Sequence, residues 1–282
     1  MHTTRNLRAL SMALAVWLLL SLALPVCAAT GAAPYRAHAS DTLKITIERL
    51  DVKGIPVYIS HIWVEDPAQI CKETAVWRRN LATVGEMVQG RGAVLAVNGS
   101  GFLSPTYPST VRAYGPPEQN HYTSLGSVVV THGEVFREIE SLHFTGIALE
   151  EDGLALYLDV ENADVLAGAR ETWAFVGNCV LIRDGEIVLP EPTGSHESSV
   201  SRQFAPRTVI ARQDANNYLI FSIRKDKDGF GFDLQQTAAL VAKYGVEWAF
   251  NLDGGGSTAL LFKEETLAGG QREVFDCLYF VE

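Results

Sequence analysis

Hydrophobic and polar residues alternate along much of the chain with a period of two, the pattern of half-buried β-strands. Residues 43–50 and 56–64 alternate in this way and predict a hairpin with Lys53 and Gly54 in its turn. Short apolar runs bounded by turn residues predict further strands. These lie at 93–97, 128–130, 135–136, 145–149, 154–158, 173–188 (with an Asp-Gly turn), 205–212, 218–223, 247–252, 259–262 and 273–281.

Two segments carry apolar residues at helical spacing instead. They are residues 74–87 and residues 233–244, the second with Asp233 as a candidate N-cap and Gly245 as a candidate C-terminal stop. Strands outnumber helices, so the pattern predicts an α+β fold. We expect a single domain with a mixed or antiparallel β-sheet core and a few flanking helices.

The N-terminus has the composition of a secretory signal peptide. Two arginines precede an almost wholly apolar run over residues 9–26, and small residues follow it. This predicts a signal peptide at residues 1–28, a linker at 29–40 and one domain at 41–282. The apolar run is nearly long enough to span a bilayer, so an uncleaved anchor is the alternative.

The charge balance limits the classes of partner. The formal net charge is −10, which disfavours binding to nucleic acid or to an anionic membrane surface. Beyond the predicted signal peptide the chain has three cysteines, Cys71, Cys179 and Cys277, too few for a disulfide framework, and their pairing is left open. No metal-ligand spacing is present, so no cofactor and no metal site are predicted; a structural divalent ion stays an alternative.

The segment from Asp253 to Thr258 reads Asp-Gly-Gly-Gly-Ser-Thr between two predicted strands. Three successive glycines are costly to order, and they suit a place where backbone N–H groups approach a ligand closely. The alternative is a tight hairpin turn with glycine at positive φ. A P-loop is excluded, because no lysine precedes the Ser-Thr pair.

Two shorter motifs stand at strand ends. Asn98-Gly99 follows the predicted strand 93–97, where it could form either a ligand contact or an ordinary Asn-Gly turn. Arg207 follows Pro206 at the start of a strand, where it is either a surface charge or a clamp for phosphate or carboxylate.

In this order, the Asn98-Gly99 motif, residues 205–210 and residues 251–258 resemble the phosphodiester glycosidase family, and the likeness is strongest over 93–282. The resemblance implies hydrolysis of a sugar-1-phosphodiester to a free sugar and a phosphomonoester. The chain departs from the family pattern in two places. Ser100-Gly101-Phe102 follows Asn98-Gly99, and residues 221–225 (Phe-Ser-Ile-Arg-Lys) have no aspartate at the place where the family commonly has an Asp-Gly-Arg-like turn.

The resemblance also implies roles for particular residues. Asp253 would act on the anomeric carbon or orient water, Arg207 would hold the phosphate, and Asn98 would position hydroxyls or the water; these three form the predicted catalytic set. The residues predicted to bind substrate are Gly99, Thr208, Gly254, Gly255, Gly256, Ser257 and Thr258.

Two other functions remain as alternatives at this stage. A non-catalytic envelope protein could bind phosphosugar polymers in the same pocket, and a metal-dependent phosphoesterase would cleave the P–O bond. The predicted partner in the favoured case is a phosphorylated carbohydrate, and the expected location is extracytoplasmic, in a bacterial cell envelope or secreted.

Overall fold

The computed structural model describes residues 33–75, 81–103, 123–124, 126–175, 179–189, 203–263 and 265–282. The predicted signal peptide, most of the predicted linker, most of the proline-containing segment 103–122 and the loop at 190–202 lie outside these residues. Within these ranges, every helix is too short or too polar to span a bilayer.

Strands form most of the regular structure in the unit Pro34–Glu282. In chain order they are β1 (Arg36–Ala39), β2 (Leu43–Val52), β3 (Ile55–Val64), β4 (Ile70–Thr74), β5 (Leu95–Asn98), β6 (Phe102–Leu103), β7 (Thr123–Ser124), β8 (Val128–Thr131), β9 (Glu134–Glu138), β10 (Phe144–Glu150), β11 (Gly153–Val160), β12 (Glu171–Ala174), β13 (Val180–Arg183), β14 (Glu186–Ile187), β15 (Arg207–Arg212), β16 (Asn217–Ile223), β17 (Trp248–Asn251), β18 (Ala259–Phe262), β19 (Glu265–Gly269) and β20 (Asp276–Phe280).

Two large sheets carry the fold. The first has the strand order β1-β2-β3-β16-β15-β17-β13-β14, and the second has the order β19-β18-β5-β20-β4. A three-stranded sheet (β11-β10-β12) and the two-stranded sheets β6-β7 and β8-β9 complete the set. Every strand pair in the described residues is antiparallel, and the few helices flank the sheets, which confirms the predicted α+β class.

The two large sheets pack face to face. Alternate residues of the eight-stranded sheet, such as Ile45, Ile220 and Phe250, share one buried cluster with Val97 and Leu278 of the five-stranded sheet. Burial of these side chains stabilises the fold by about 25 cal/mol per Å² of apolar surface removed from water. The interface between the sheets is therefore the main core.

Three short helices flank the sheets: α1 (Val84–Val88), α2 (Asn162–Leu166) and α3 (Leu234–Val241). Helix α2 packs on β10 and β11 of the three-stranded sheet. Helix α3 packs its Ala238 and Val241 against the outer face of the eight-stranded sheet, and α1 packs against the outer face of the five-stranded sheet. Single-turn 3₁₀ segments lie at Pro67–Gln69, Ala242–Tyr244 and Gly255–Ser257.

The predicted helix at 233–244 is confirmed. Asp233 caps α3 by accepting a hydrogen bond from the backbone N–H of Gln236, and the Gln236 side chain bonds back to the Asp233 amide. The helix continues as the 3₁₀ turn Ala242–Tyr244 and stops at Gly245, which adopts a left-handed φ of 61°. Both sequence signals therefore marked the true ends.

The predicted helix at 74–87 is wrong over most of its described part. Thr74 belongs to the edge strand β4, and residues 76–80 lie outside the description. The helix begins only at Val84, because the Thr83 side chain caps it there in a reciprocal capping box. Leu81, which also belongs to the helical spacing, lies before this start and outside the helix.

Three other features of the structure bear on the sequence predictions. The β2-β3 turn at Lys53 and Gly54 is confirmed, with φ of 57° and 84°. Part of the predicted linker forms β1, which pairs with β2. No disulfide joins Cys71, Cys179 and Cys277 to one another.

Candidate active site

The loop after β17 connects the two large sheets. We call residues 252–258 the Asp253 loop. The chain leaves the eight-stranded sheet at Asn251, passes through the 3₁₀ turn Gly255–Ser257 and enters the five-stranded sheet at Ala259. All the predicted site motifs meet at this junction of the sheets.

Asn98 forms hydrogen bonds across this junction. Its Oδ1 accepts hydrogen bonds from the Thr208 hydroxyl (2.7 Å) and the Ala259 amide (3.0 Å), and its Nδ2 donates to the carbonyl of Asp253 (2.6 Å). Asn98 and Thr208 are both fully buried. These polar groups therefore hold β5, β15 and the Asp253 loop together, and the predicted contacts of Asn98 and Thr208 with substrate stay predictions.

Gly99 also contacts the Asp253 loop. Its carbonyl accepts a hydrogen bond from the Asp253 amide at 3.0 Å. A Cβ at this position would lie 2.2 Å from Oδ1 of Asp276 and 2.7 Å from Cδ1 of Trp173, so no larger residue fits. The glycine in the Asn-Gly motif is thus required for packing.

Two of the three consecutive glycines use their amides within the protein. The N–H of Gly254 donates to Oδ1 of Asp253 (2.8 Å), and the N–H of Gly255 donates to the carbonyl of Pro206 (2.8 Å). A Cβ on Gly254 would come within 2.7 Å of that same carbonyl and 3.8 Å of Cδ of Arg207. The loop therefore packs directly on the start of β15, and these two amides do not form an open anion nest.

Gly256 differs from its neighbours. It is exposed, and its N–H makes no hydrogen bond with the described residues. A Cβ added there would lie 3.4 Å from Cδ and Nη1 of Arg272. Gly256 is therefore the glycine whose amide is available to an anion.

Arg207 is buried beside the loop, with 4% of its surface exposed. Its Nε donates to the carbonyl of Phe232 (3.0 Å), and Nη2 donates to the carbonyl of Gln203 (2.5 Å). Burial lowers the pKa of Arg207 to about 10, against the opposing charge of Asp233. The guanidinium stays charged at neutral pH, and two of its nitrogens brace the backbone at Gln203 and Phe232.

The Asp253 carboxyl is the acidic group of the loop. Loss of solvent raises its pKa, and the negative charge of Asp276 acts in the same direction. The Ser257 hydroxyl, the Gly254 amide and the positive charge of Arg272 favour the ionised form. A carboxyl with a raised pKa is the kind that general acid–base catalysis uses near neutral pH.

Arg272 is a site residue that the sequence analysis did not single out, because it stands between the predicted strands 259–262 and 273–281 outside any motif. It is exposed, its guanidinium lies 5.6 Å from the centroid of the Phe102 ring, and it borders Gly256. The sequence signal is slight, since its proximity to the loop follows from the adjacency of β18, β5 and β20. This arginine supplies the accessible positive charge that Arg207 does not.

The remaining predicted residues are buried. Ser257 lies beside the Asp253 carboxyl, and the Thr258 hydroxyl is buried without a hydrogen-bond partner among the described residues. Oδ1 of Asn251 is likewise buried and unpaired there. Contact of Ser257 and Thr258 with substrate stays a prediction.

Two further features bear on ligands. The described residues contain no group of three or more His, Cys, Asp or Glu side chains placed to hold a metal ion. An apolar cavity of about 540 Å³ lies between α3 and the β2-β3 hairpin, where Phe232 forms part of its wall. It includes no residue of the Asp253 loop, so the chemistry is assigned to the loop and not to this cavity.

Comparison with known proteins identifies the family. Residues 91–281 match the phosphodiester glycosidase family model. The chain therefore belongs to the phosphodiester glycosidase family, whose general activity is that of a glycosidase-type hydrolase. A search of curated proteins finds no match.

Solved structures share the fold at low sequence identity. The zebrafish N-acetylglucosamine-1-phosphodiester alpha-N-acetylglucosaminidase catalytic domain, auto-inhibited by its pro-peptide, is 18% identical with a TM-score of 0.67, covering 89% of this chain and 87% of that one. A hypothetical protein from Synechocystis is 16% identical with a TM-score of 0.57, covering 89% and 64%. A Burkholderia pseudomallei protein, whose name provisionally describes it as exported, is 13% identical with a TM-score of 0.51, covering 81% and 74%.

Proposed function

We propose that this protein hydrolyses a glycosyl-1-phosphodiester at the Asp253 loop, releasing a free sugar and a phosphomonoester. The observation that carries the proposal is the pairing of a carboxyl of raised pKa, Asp253, with the accessible charge of Arg272 beside the unpaired amide of Gly256. A carboxyl next to an anion-binding pair suits a substrate that is both a glycoside and a phosphate.

In the proposed reaction, the oxygen of water forms a bond to the anomeric carbon as the bond from that carbon to the phosphate oxygen breaks. Both electrons of the broken bond leave with the phosphomonoester, and ionised Asp253 accepts the proton of the attacking water. A phosphomonoester is a good leaving group, so the demand for an acid to protonate it is small. Water is the sole co-reactant in this scheme.

The anion-binding part of the proposal assigns the phosphate to Arg272 and the amide of Gly256. A guanidinium can donate two parallel hydrogen bonds to phosphate oxygens, and a backbone N–H adds a third donor at fixed position. Arg207 keeps its place as a predicted phosphate contact, and its buried charge also adds positive potential at the start of β15. Asn98 and Gly99 keep the loop in register.

We propose the substrate class from the family and from the similar zebrafish structure together. The zebrafish protein bears the name of an enzyme acting on N-acetylglucosamine-1-phosphodiesters, and we propose an N-acetylhexosamine-1-phosphodiester as the first substrate to test. The apolar N-terminal run supports export, so we propose phosphorylated glycans outside the cytoplasm as the natural partner.

Product analysis tests the proposal. The purified protein is incubated with N-acetylglucosamine-1-(methyl phosphate), and the sugar and methyl phosphate are measured for wild type and Asp253→Asn. Release of both products by wild type, and its loss in the variant, is expected. Saturable binding with no product would instead favour a non-catalytic phosphosugar-binding protein.

A further inference from the structure

A completely buried ion pair lies behind the Asp253 loop. Nζ of Lys72 on β4 is 3.3 Å from Oδ2 of Asp276 on β20, and both side chains have no exposed surface. Lys72 also donates to the carbonyls of Thr172 (2.5 Å) and Val130 (3.2 Å). Buried ion pairs stabilise a fold little compared with apolar side chains of the same size, so stability alone does not explain this pair.

The carboxylate of Asp276 holds residues 98–100, the segment at the end of β5, from one side. Its Oδ1 accepts the amide of Ser100 at 2.5 Å, and its Oδ2 accepts the Ser100 hydroxyl at 2.8 Å. The amide of Gly99 donates to the main-chain carbonyl of Asp276 at 3.0 Å. The two carboxylate oxygens and the main-chain carbonyl of Asp276 therefore accept hydrogen bonds from two successive residues, Gly99 and Ser100.

The same segment, residues 98–100, contacts the Asp253 loop on its other side. The carbonyl of Gly99 accepts a hydrogen bond from the amide of Asp253, and Nδ2 of Asn98 donates to the carbonyl of Asp253. Both backbone polar groups of Asp253 are therefore bonded to the segment that Asp276 holds. The chain of contacts runs from the Lys72–Asp276 ion pair through this segment to the backbone of Asp253, the residue that carries the proposed catalytic carboxyl.

We propose that Lys72 and Asp276 form a positioning pair that fixes the backbone of Asp253 through Gly99 and Ser100 and sets the charge next to its carboxyl. The inference rests on the proposed function for the role of Asp253, but its geometry does not depend on the substrate. Neither residue touches the proposed reacting atoms, so both act through residues 98–100.

The electrostatic part has a definite direction. Asp276 raises the pKa of Asp253 through its negative charge, Arg272 opposes it, and Arg207 packs against the neighbouring Gly254. Replacing Asp276 by Asn keeps an acceptor for the Ser100 amide and removes the charge. The pKa of Asp253 is then expected to fall.

An NMR titration of ¹³C-labelled aspartate carboxyls tests this without substrate. The Asp253 signal is assigned by its loss in Asp253→Asn. In Asp276→Asn the pKa of Asp253 is expected to move down, and in the neutral double variant Lys72→Met/Asp276→Asn it should move down by less. The matched control is the exposed pair Arg36–Glu265, 2.6 Å apart, replaced as Arg36→Met/Glu265→Gln.

Kinetics supply the second measurement. We expect kcat to fall about tenfold or more in Asp276→Asn with KM changed by less than about twofold, because a small displacement of a reacting group slows chemistry more than binding. The acid limb of the pH–rate profile should move to lower pH in the same variant. The control pair should leave both quantities unchanged.

The outcomes separate the two proposals. If wild type cleaves no glycosyl phosphodiester, the proposed function fails, while the titration still decides the role of the pair. An unchanged Asp253 pKa in the variants overturns the inference. Failure of both Asp276→Asn and the double variant to fold would also overturn it, because the pair would then support the sheets and not the loop.

Discussion

Nδ2 of Asn98 donates a 2.6 Å hydrogen bond to the carbonyl of Asp253, joining residues 155 positions apart in the chain. Asn98 ends β5 of the five-stranded sheet, and Asp253 lies in the loop that follows β17 of the eight-stranded sheet, so this bond spans the junction of the two sheets. The position of the Asp253 loop therefore depends on the whole fold and not on the loop sequence alone.

Replacing Asn98 by Ala should destabilise the protein. It leaves the Ala259 amide, the Thr208 hydroxyl and the Asp253 carbonyl buried without their partner. The expected loss is about 2–4 kcal/mol of unfolding free energy. Urea denaturation measures it, and the solvent-facing Gln213→Ala serves as control; equal midpoints for the two variants would refute the bracing role.

Asp253→Asn should abolish most of the activity while the protein stays folded. Loss of a general base typically slows a reaction by about 10²–10⁴-fold. The measurement is kcat on the glycosyl phosphodiester, with the exposed Asp41→Asn as the matched control. Turnover within about twofold of wild type in the Asp253 variant would rule out its assigned role.

The same substitution should make the fold more stable at neutral pH. The pKa of Asp253 is raised above its usual value of 3.8, so the native state binds this proton more tightly than the unfolded state. Stability then falls as pH rises from 3.8 to the native pKa. Asp253→Asn removes that loss, and its advantage over wild type in urea denaturation should shrink as pH approaches 3.8 from above.

Arg272→Met should weaken substrate binding. Loss of a charge-assisted hydrogen bond costs about 1.5–3 kcal/mol, which corresponds to a rise in KM or a fall in kcat/KM of roughly 10–100-fold. The exposed Arg183→Met is the control. Unchanged kinetics in the Arg272 variant would mean that Arg272 does not bind the phosphate and would leave Arg207 as the predicted phosphate-binding arginine.

Two of the three loop glycines, Gly254 and Gly256, should respond differently to replacement by alanine. A Cβ on Gly254 meets the Pro206 carbonyl at 2.7 Å, so Gly254→Ala should lower unfolding free energy by about 1–3 kcal/mol. A Cβ on Gly256 meets only the flexible Arg272 side chain at 3.4 Å, so Gly256→Ala should fold normally and impair kinetics. Thermal melts and kinetics distinguish the two; equal melting temperatures would contradict the packing described for Gly254.

Much of the fold was predictable because its signals are local. Strict alternation gave the β2-β3 hairpin, and Asp233 and Gly245 marked the ends of α3 correctly. The predicted helix at 74–87 failed at its described start because apolar spacing alone does not show that Thr74 ends an edge strand and that the helix begins only at Val84. There, pairing of β4 with β20 overrode the local pattern.

The site was predictable only in part. The sequence placed Asn98, Arg207 and Asp253 in one site, and the structure joins their segments by hydrogen bonds and packing. The sequence could not show that the amide of Gly255 donates a hydrogen bond to the carbonyl of Pro206, or that Arg272 borders Gly256. Both facts depend on contacts between elements far apart in the chain.

Hydrolysis in H₂¹⁸O, followed by mass spectrometry of both products, identifies the bond that the Asp253 loop breaks. Attack of water at the anomeric carbon predicts one ¹⁸O atom in the released sugar and none in the phosphomonoester. Label in the phosphomonoester would mean cleavage of the P–O bond and would contradict the glycosidase mechanism proposed for this protein.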